Sequence, residues 1–344
     1  MQRIEGKAME KEIFEKWKEI SLYASRVVSY NPWSRFGEKD LFVFLTKDKK
    51  EEHFFCFLEE SCGDYAIAFY RNGNECFNAQ GRLHGANPKK EPVFLLQNAI
   101  IFRLGNREDV SKTNYALLKE LNIKCRGKGG WPYFEQYRMG YAPRAVCEED
   151  LDRLLDDLGN LWMMLRAVFE EGMPTDFENR MVLTRCYSPK DDLYYNYMAP
   201  LKQKPRVTYT TITMTENEWL SMMRGMPSKG TIALDWSYLP TFVYEGRERI
   251  VPRLLLAVDA RTGCIIKSEM LPPSDAPYDD LFEVLESMIA VRGKPAAIEI
   301  CDKELECYLT DFCQKAKIRL EIRKQLKQTT AARRELLKSL MNTF

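Results

Sequence analysis

Two histidines, His53 and His84, and ten cysteines are all that 344 residues offer for imidazole or thiolate chemistry. No Cys-x-x-Cys occurs, and the nearest series, Cys301, Cys307 and Cys313, advances six residues at a time. On a helix of about 3.6 residues per turn such steps fan the thiols around the axis instead of gathering them at one ion. Zinc centres and Ser-His-Asp catalysis therefore lack material. Any hydrolytic chemistry must lean on carboxylates, which act on phosphate esters by holding divalent cations that activate the nucleophile and stabilise the leaving oxygen. Two further segments could meet phosphate. One is RGKGGWPYFEQYRMGYAPR, 126–144, with three glycines before Trp131; the other is the base-rich end of the chain. The Gly-x-x-x-x-Gly-Lys-Ser/Thr spacing of a phosphate loop is absent from the first, so it reads as a brace between elements. Stacking of bases on Trp131, Tyr133 or Tyr137 is its alternative use.

The elements that must position such groups belong to an ordinary packed protein. Hydrophobic residues make up 45% of the chain and charged ones 29%, enough apolar material to exclude disorder as the main state. The formal net charge of +1 gives no whole-molecule attraction to nucleic acid or membrane, so such affinity needs a local patch. The longest apolar run, VFLLQNAIIFRL, is interrupted by Gln97 and Asn98, which argues against a spanning helix. The opening residues lack the apolar core of a signal peptide, so a cytoplasmic protein with reduced thiols is expected.

Helical spacing of Ile13, Phe14, Trp17, Ile20, Ala24, Val27 and Val28 predicts a helix over 9–28. LFVFLT, HFFCFL and DYAIAFY read as antiparallel strands, with Asn72-Gly73 as a hairpin turn and 75–77 as its return. An apolar segment at 93–104 and a helix near 111–121, capped by Ser111, follow. Leu151, Leu154, Leu158, Leu161, Leu165 and Val168 stripe a long helix whose acidic face reads as solvated surface. Met173-Pro174 closes it. Strands at DLYYNYM and RVTYTTITM and a short helix at TENEWLSMM, boxed by Thr215 and Glu218, fill the next stretch.

From residue 231 the order becomes strand, strand, strand, helix, strand, helix, strand, helix: TIALDWSYL, RLLLAVD and CIIKSEML, then a helix from Pro277 to Arg292, AAIEICD, a helix near 303–316, IRLEI and a last helix near 329–342. The continuous apolar run of AAIEICD suits a buried parallel strand.

This order over 231–344 resembles the ribonuclease-H-like fold, to which retroviral-integrase and transposase enzymes also belong. Asp235, in ALDWSYL, matches that family's first-strand aspartate, and Asp-Trp-Ser-Tyr looks like the Asp-x-Thr-Tyr often found there. Asp302, ending the fourth strand, matches the second acid. Glu335 follows it by 33 residues, close to the spacing of the third. The resemblance implies Mg²⁺ or Mn²⁺ held by Asp235, Asp302 and Glu335, with Glu286 or Asp279 as other choices for the third carboxylate. Strand-end aspartates are also ordinary cap and turn residues, and Asp259, which opens DARTG, reads as one. By helical spacing Glu335 falls nearly opposite the Leu336, Leu337 and Leu340 face.

Nine bases against two acids lie between Gln314 and Lys338, a segment that could track a phosphate backbone or form a solvated face. The whole chain also resembles uncharacterised bacterial families defined as domains of unknown function, through FLLQNAIIFRLGNRED, GWPYFEQYRMGYAP, ALDWSYLP and PRLLLAVDARTG. No DNA-reading helix-turn-helix or zinc finger is evident in the first half. The expected organisation is an α+β domain with an antiparallel sheet over 1–172, a connecting region over 173–230, and an α/β ribonuclease-H-like domain with a mixed five-stranded sheet over 231–344. Two functions fit: a divalent-metal nuclease or phosphoryl-transfer enzyme, or a non-catalytic binding or scaffold protein that keeps the fold. Either could contact nucleic acid through the basic end, and neither involves a membrane.

Overall fold

Apolar stripes of helical period and short aromatic runs sort the chain into two mixed sheets with helices. The structure, a computed structural model, describes residues 10–59, 65–85, 97–201, 209–239, 241–246, 248–274 and 276–341. They divide into two units, the first ending in the 143–207 stretch and the second containing 140–142 and the chain from 208 onward.

The first unit begins with α1 (Lys11–Ser29), β1 (Phe42–Leu45), β2 (Glu52–Glu59), β3 (Tyr65–Tyr70) and α2 (Gly73–Gly85). It continues through β4 (Ala99–Gly105), α3 (Lys112–Glu120), β5 (Trp131–Tyr137), α4 (Leu151–Phe169), β6 (Met181–Ser188) and β7 (Leu193–Pro200). Its seven strands run in the order β5-β4-β3-β2-β1-β6-β7. The phenylalanines of β1, β2 and β3 bury one face of this sheet against Trp17, Ile20 and Val27 of α1 and the leucine stripe of α4. Fully burying such a side chain stabilises by roughly 1.5–3 kcal/mol, so this aromatic layer anchors the unit.

Four expectations for this part are corrected. Gly73 opens a helix, not a hairpin, because the Asn72 Oδ1 accepts the Glu75 N–H at 3.0 Å and caps α2. The stretch WPYFEQY is β5, an edge strand paired to β4 from Ala99↔Tyr137 to Gly105↔Trp131. Trp131 is partly buried beside Tyr115, 6.1 Å between ring centroids, and under Arg107, so its ring braces α3. The sheet is mixed, since β1 runs parallel to β6. That pairing places 181–200 in the first sheet, so this unit extends past residue 172 and 173–230 is not a separate connector.

The second unit holds α5 (Glu218–Gly225), β8 (Thr231–Tyr238), β9 (Val243–Glu245), β10 (Glu248–Ile250), β11 (Arg253–Asp259), β12 (Ile265–Leu271), α6 (Pro277–Arg292), β13 (Ala297–Ile300), α7 (Lys303–Ala316), β14 (Arg319–Ile322) and α8 (Lys327–Met341). Its five-stranded sheet has the order β12-β11-β8-β13-β14. The first three strands are antiparallel, and β13 and β14 continue parallel to β8. One face packs Leu234, Trp236, Leu255 and Ile298 against α5, α6 and α7; Ala233, Leu256 and Val258 on the other meet Leu326, just before α8, and Ala332 within it. The cap of α5 is Asn217, whose Oδ1 accepts the Leu220 N–H at 2.9 Å, in place of the expected Thr215 box. Residues 209–214, expected to finish a strand, are not one: the Ile212 and Met214 N–H groups bond to Cys307 and Asp311 of α7. Residues 93–96 and 206–208, included in two expected segments, lie outside the described residues.

A candidate functional site at the ends of the central strands

Alternation along β8 sends Trp236 to the α6/α7 face and Asp235 to the α8 face, where Asp235 is only 9% exposed. Its Oδ2 accepts from Arg333 Nη1 at 3.4 Å. Arg333 comes from α8, next to the buried Ala332. Asp302 stands between β13 and α7 and serves as the cap of that helix, its Oδ1 accepting the Leu305 N–H at 3.0 Å. Continued past Glu299↔Ala233, the parallel register of β13 on β8 sets Cys301 level with Asp235, and Asp302 is the next residue. Burial pushes the Cys301 thiol pKa up, as do the charges of Asp235 and Asp302, while Arg333 pulls it down. The first- and fourth-strand aspartates thus lie on, and just past, neighbouring parallel strands.

The third acid does not join them. Glu335 is on the open side of α8, its side chain 71% exposed and paired with Lys338 at 3.3 Å. Glu286 and Asp279 on α6 are exposed as well. Asp259 is a turn residue: its Oδ1 accepts from the Thr262 N–H and hydroxyl and the Arg261 N–H, which holds its carboxyl below the usual range. Among the described residues no group of three or more His, Cys, Asp or Glu side chains is placed to hold a metal ion. A paired-ion centre needs several carboxylate oxygens converging from different elements. Here one aspartate carries an arginine and the other caps a helix, so the donor set does not fit such a centre.

The basic end is partly neutralised within the fold. Lys315 pairs with Asp311, Arg319 with Glu321, Arg323 with Glu299 and Glu321, Arg333 with Asp235, and Lys338 with Glu335. Lys317, Lys324, Lys327 and Arg334 are exposed and make no ion pair among the described residues. Lys327 and Arg334, seven residues apart, share one face of α8, and Lys338 continues it.

Two sets of residues escape a reading of the sequence alone. Arg333 stands two positions before Glu335, and a pattern sought among acids passes it over. In the first unit a chain of charges, exposed only at Arg71, links β2 to α4 and to the turn after β3. Asp157, 0% exposed, meets His53 Nδ1 at 2.5 Å and Arg153 Nη1 at 3.4 Å. Arg153 continues to Asp150, which also bonds Arg71 and accepts from Gln136 Nε2 at 2.6 Å. These groups border a cleft of about 630 Å³ lined by Glu51, Phe54, Arg71, Arg153, Thr184 and Tyr197. Asp157 falls three residues after Leu154 and four before Leu161, on the apolar stripe itself, a signal that contradicts a solvated reading.

Among curated proteins, none matches the chain. The HTLV-2 integrase catalytic core domain in complex with magnesium, in its trimeric form, is similar over 34% of this chain and 74% of its own, at 14% identity and a TM-score of 0.25. A simian T-cell lymphotropic virus intasome in complex with the PP2A regulatory subunit B56 gamma covers 40% of this chain and 46% of its own, at 14% identity and a TM-score of 0.27. Scores this low decide neither fold nor activity. Residues 17–185 match the family model of a domain of unknown function, DUF7309, and residues 221–337 match that of a second, DUF6930, so each of the two sheets carries its own family match.

Proposed function

We propose that the second unit is a ribonuclease-H-like domain that binds a nucleic-acid backbone without cleaving it. The strand order, with three antiparallel strands followed by two parallel ones on the far side of β8, supports the fold assignment. The observation that carries the functional reading is Arg333 on Asp235. A guanidinium, and not a metal-holding acid, stands at the Asp235 carboxylate from α8, and a carboxylate paired with arginine is already neutralised. Binding falls to the open bases Lys324, Lys327 and Arg334, which present point charges and a fork to phosphate.

Fluorescence anisotropy with labelled single- and double-stranded DNA and RNA across a salt series tests this. Affinity should fall with salt. The Lys324→Glu/Lys327→Glu/Arg334→Glu variant should bind at least about tenfold more weakly and lower the salt slope by about 2–3, near one for each phosphate left without its base. Binding that ignores both salt and the triple substitution would defeat the proposal.

A second reading, a nuclease using Mg²⁺ or Mn²⁺ on Asp235 and Asp302 with Glu335 or Glu286, is favoured by the parallel pairing of β8, which carries Asp235, with β13, which leads into Asp302. It requires Arg333 to leave Asp235 and a third acid to arrive.

A further inference from the structure

The outer edge of the first sheet carries an unusual strand. β7 is last in the order and, among the described residues, pairs with β6 alone, in unbroken register from Met181↔Pro200 to Ser188↔Leu193. Edge strands are ordinarily protected by lysine, proline or a bulge. Leu-Tyr-Tyr-Asn-Tyr-Met-Ala-Pro has no charge in eight residues, no bulge, and its proline only at the end. Leu193, Tyr195 and Tyr197 stand on one face at 58%, 47% and 44% exposure.

The strand complements itself. In an antiparallel pair about a two-fold axis at Asn196, Tyr195 of one copy faces Tyr197 of the other and Leu193 faces Ala199, with every side chain kept on its own face. The ends agree in charge. Asp191 and Asp192 precede the strand and are exposed, while Arg180 reaches the Leu201 carbonyl at its far end, 3.5 Å away. In the same register Asp191 falls opposite Leu201 of the other copy, with Arg180 of that copy one strand further in. Parallel pairing would set acid against acid. From this we infer that two copies of the chain associate through β7, antiparallel, joining their seven-stranded sheets into one across an isologous interface.

The test is the mass of the full chain in solution by light scattering or sedimentation, with thermal melts to confirm folding. Wild type should have twice the mass of one chain. Tyr195→Lys/Tyr197→Lys places lysine opposite lysine twice and should halve that mass. Tyr195→Lys/Tyr197→Glu places lysine opposite glutamate in this register alone and should keep the dimer. A monomeric wild type, a dimeric Lys/Lys variant, or a Lys/Glu variant that dissociates like Lys/Lys would each overturn the inference.

Discussion

Replacing Asp157 by alanine is expected to destabilise the first unit by about 3–5 kcal/mol, the usual cost of removing one member of a buried charge pair. The carboxylate is fully enclosed, and its loss removes the partner of His53 Nδ1 and Arg153 Nη1, leaving Glu51 to the imidazole and Asp150 to the guanidinium. Denaturant unfolding checks this, and a loss below about 1 kcal/mol would mean the network is not held as described. The same pair sets a pH dependence. Burial opposes charge on His53, but the hydrogen bond and charge of Asp157, joined by Glu51, outweigh it and hold its pKa above the ordinary value. Arg153, nearby, acts in the opposite direction. A folded pKa above the unfolded one, about 6.5, gives stability that is complete below that pH. It is lost as pH rises through the folded value. Wild type should therefore weaken over that window, and His53→Gln should lack the decline.

In the second unit, Glu304→Ala should cost a similar amount, about 3–5 kcal/mol, for a different arrangement of the same physics. Arg253 lies buried between the rings of Trp236 and Tyr238, 4.4 and 4.6 Å from their centroids. Its charge is met by Glu304 at 3.4 Å, and Tyr308 donates its hydroxyl to the same carboxylate at 3.1 Å. Removing Glu304 leaves a guanidinium in an aromatic box without a counter-charge. The double variant Arg253→Met/Glu304→Leu removes both charges and should be less destabilised than either single change, since no ion remains uncompensated. A double variant whose loss equals the sum of the singles would contradict a coupled pair.

Legibility in the sequence followed the kind of signal each element gives. The second sheet was readable strand by strand because each strand is a short apolar run bounded by turns, and α6 was expected over the residues it occupies. β5 and β6 were not, because β5 sits in a Gly- and Pro-rich stretch and β6 pairs parallel with a strand some 140 positions earlier, which no local pattern reveals. At the site, Asp235 and Asp302 were reached through a family resemblance, and the structure sets them on and just past the neighbouring parallel strands β8 and β13. Arg333 needed the third dimension, since only the packing of α8 over Asp235 gives it a role. Helical spacing had already set Glu335 opposite the leucine face of α8, and its exposure agrees.

Calorimetric titration of Mg²⁺ and Mn²⁺ into wild type and Asp235→Asn, with labelled nucleic acids assayed for cleavage in parallel, tests the role given to Arg333 most directly. Because Asp235 is already paired, wild type and variant should take up metal alike and neither should cleave, while both bind nucleic acid with the same salt dependence. Saturable metal binding and cleavage by wild type, both lost in Asp235→Asn, would contradict the account and establish the nuclease reading in its place.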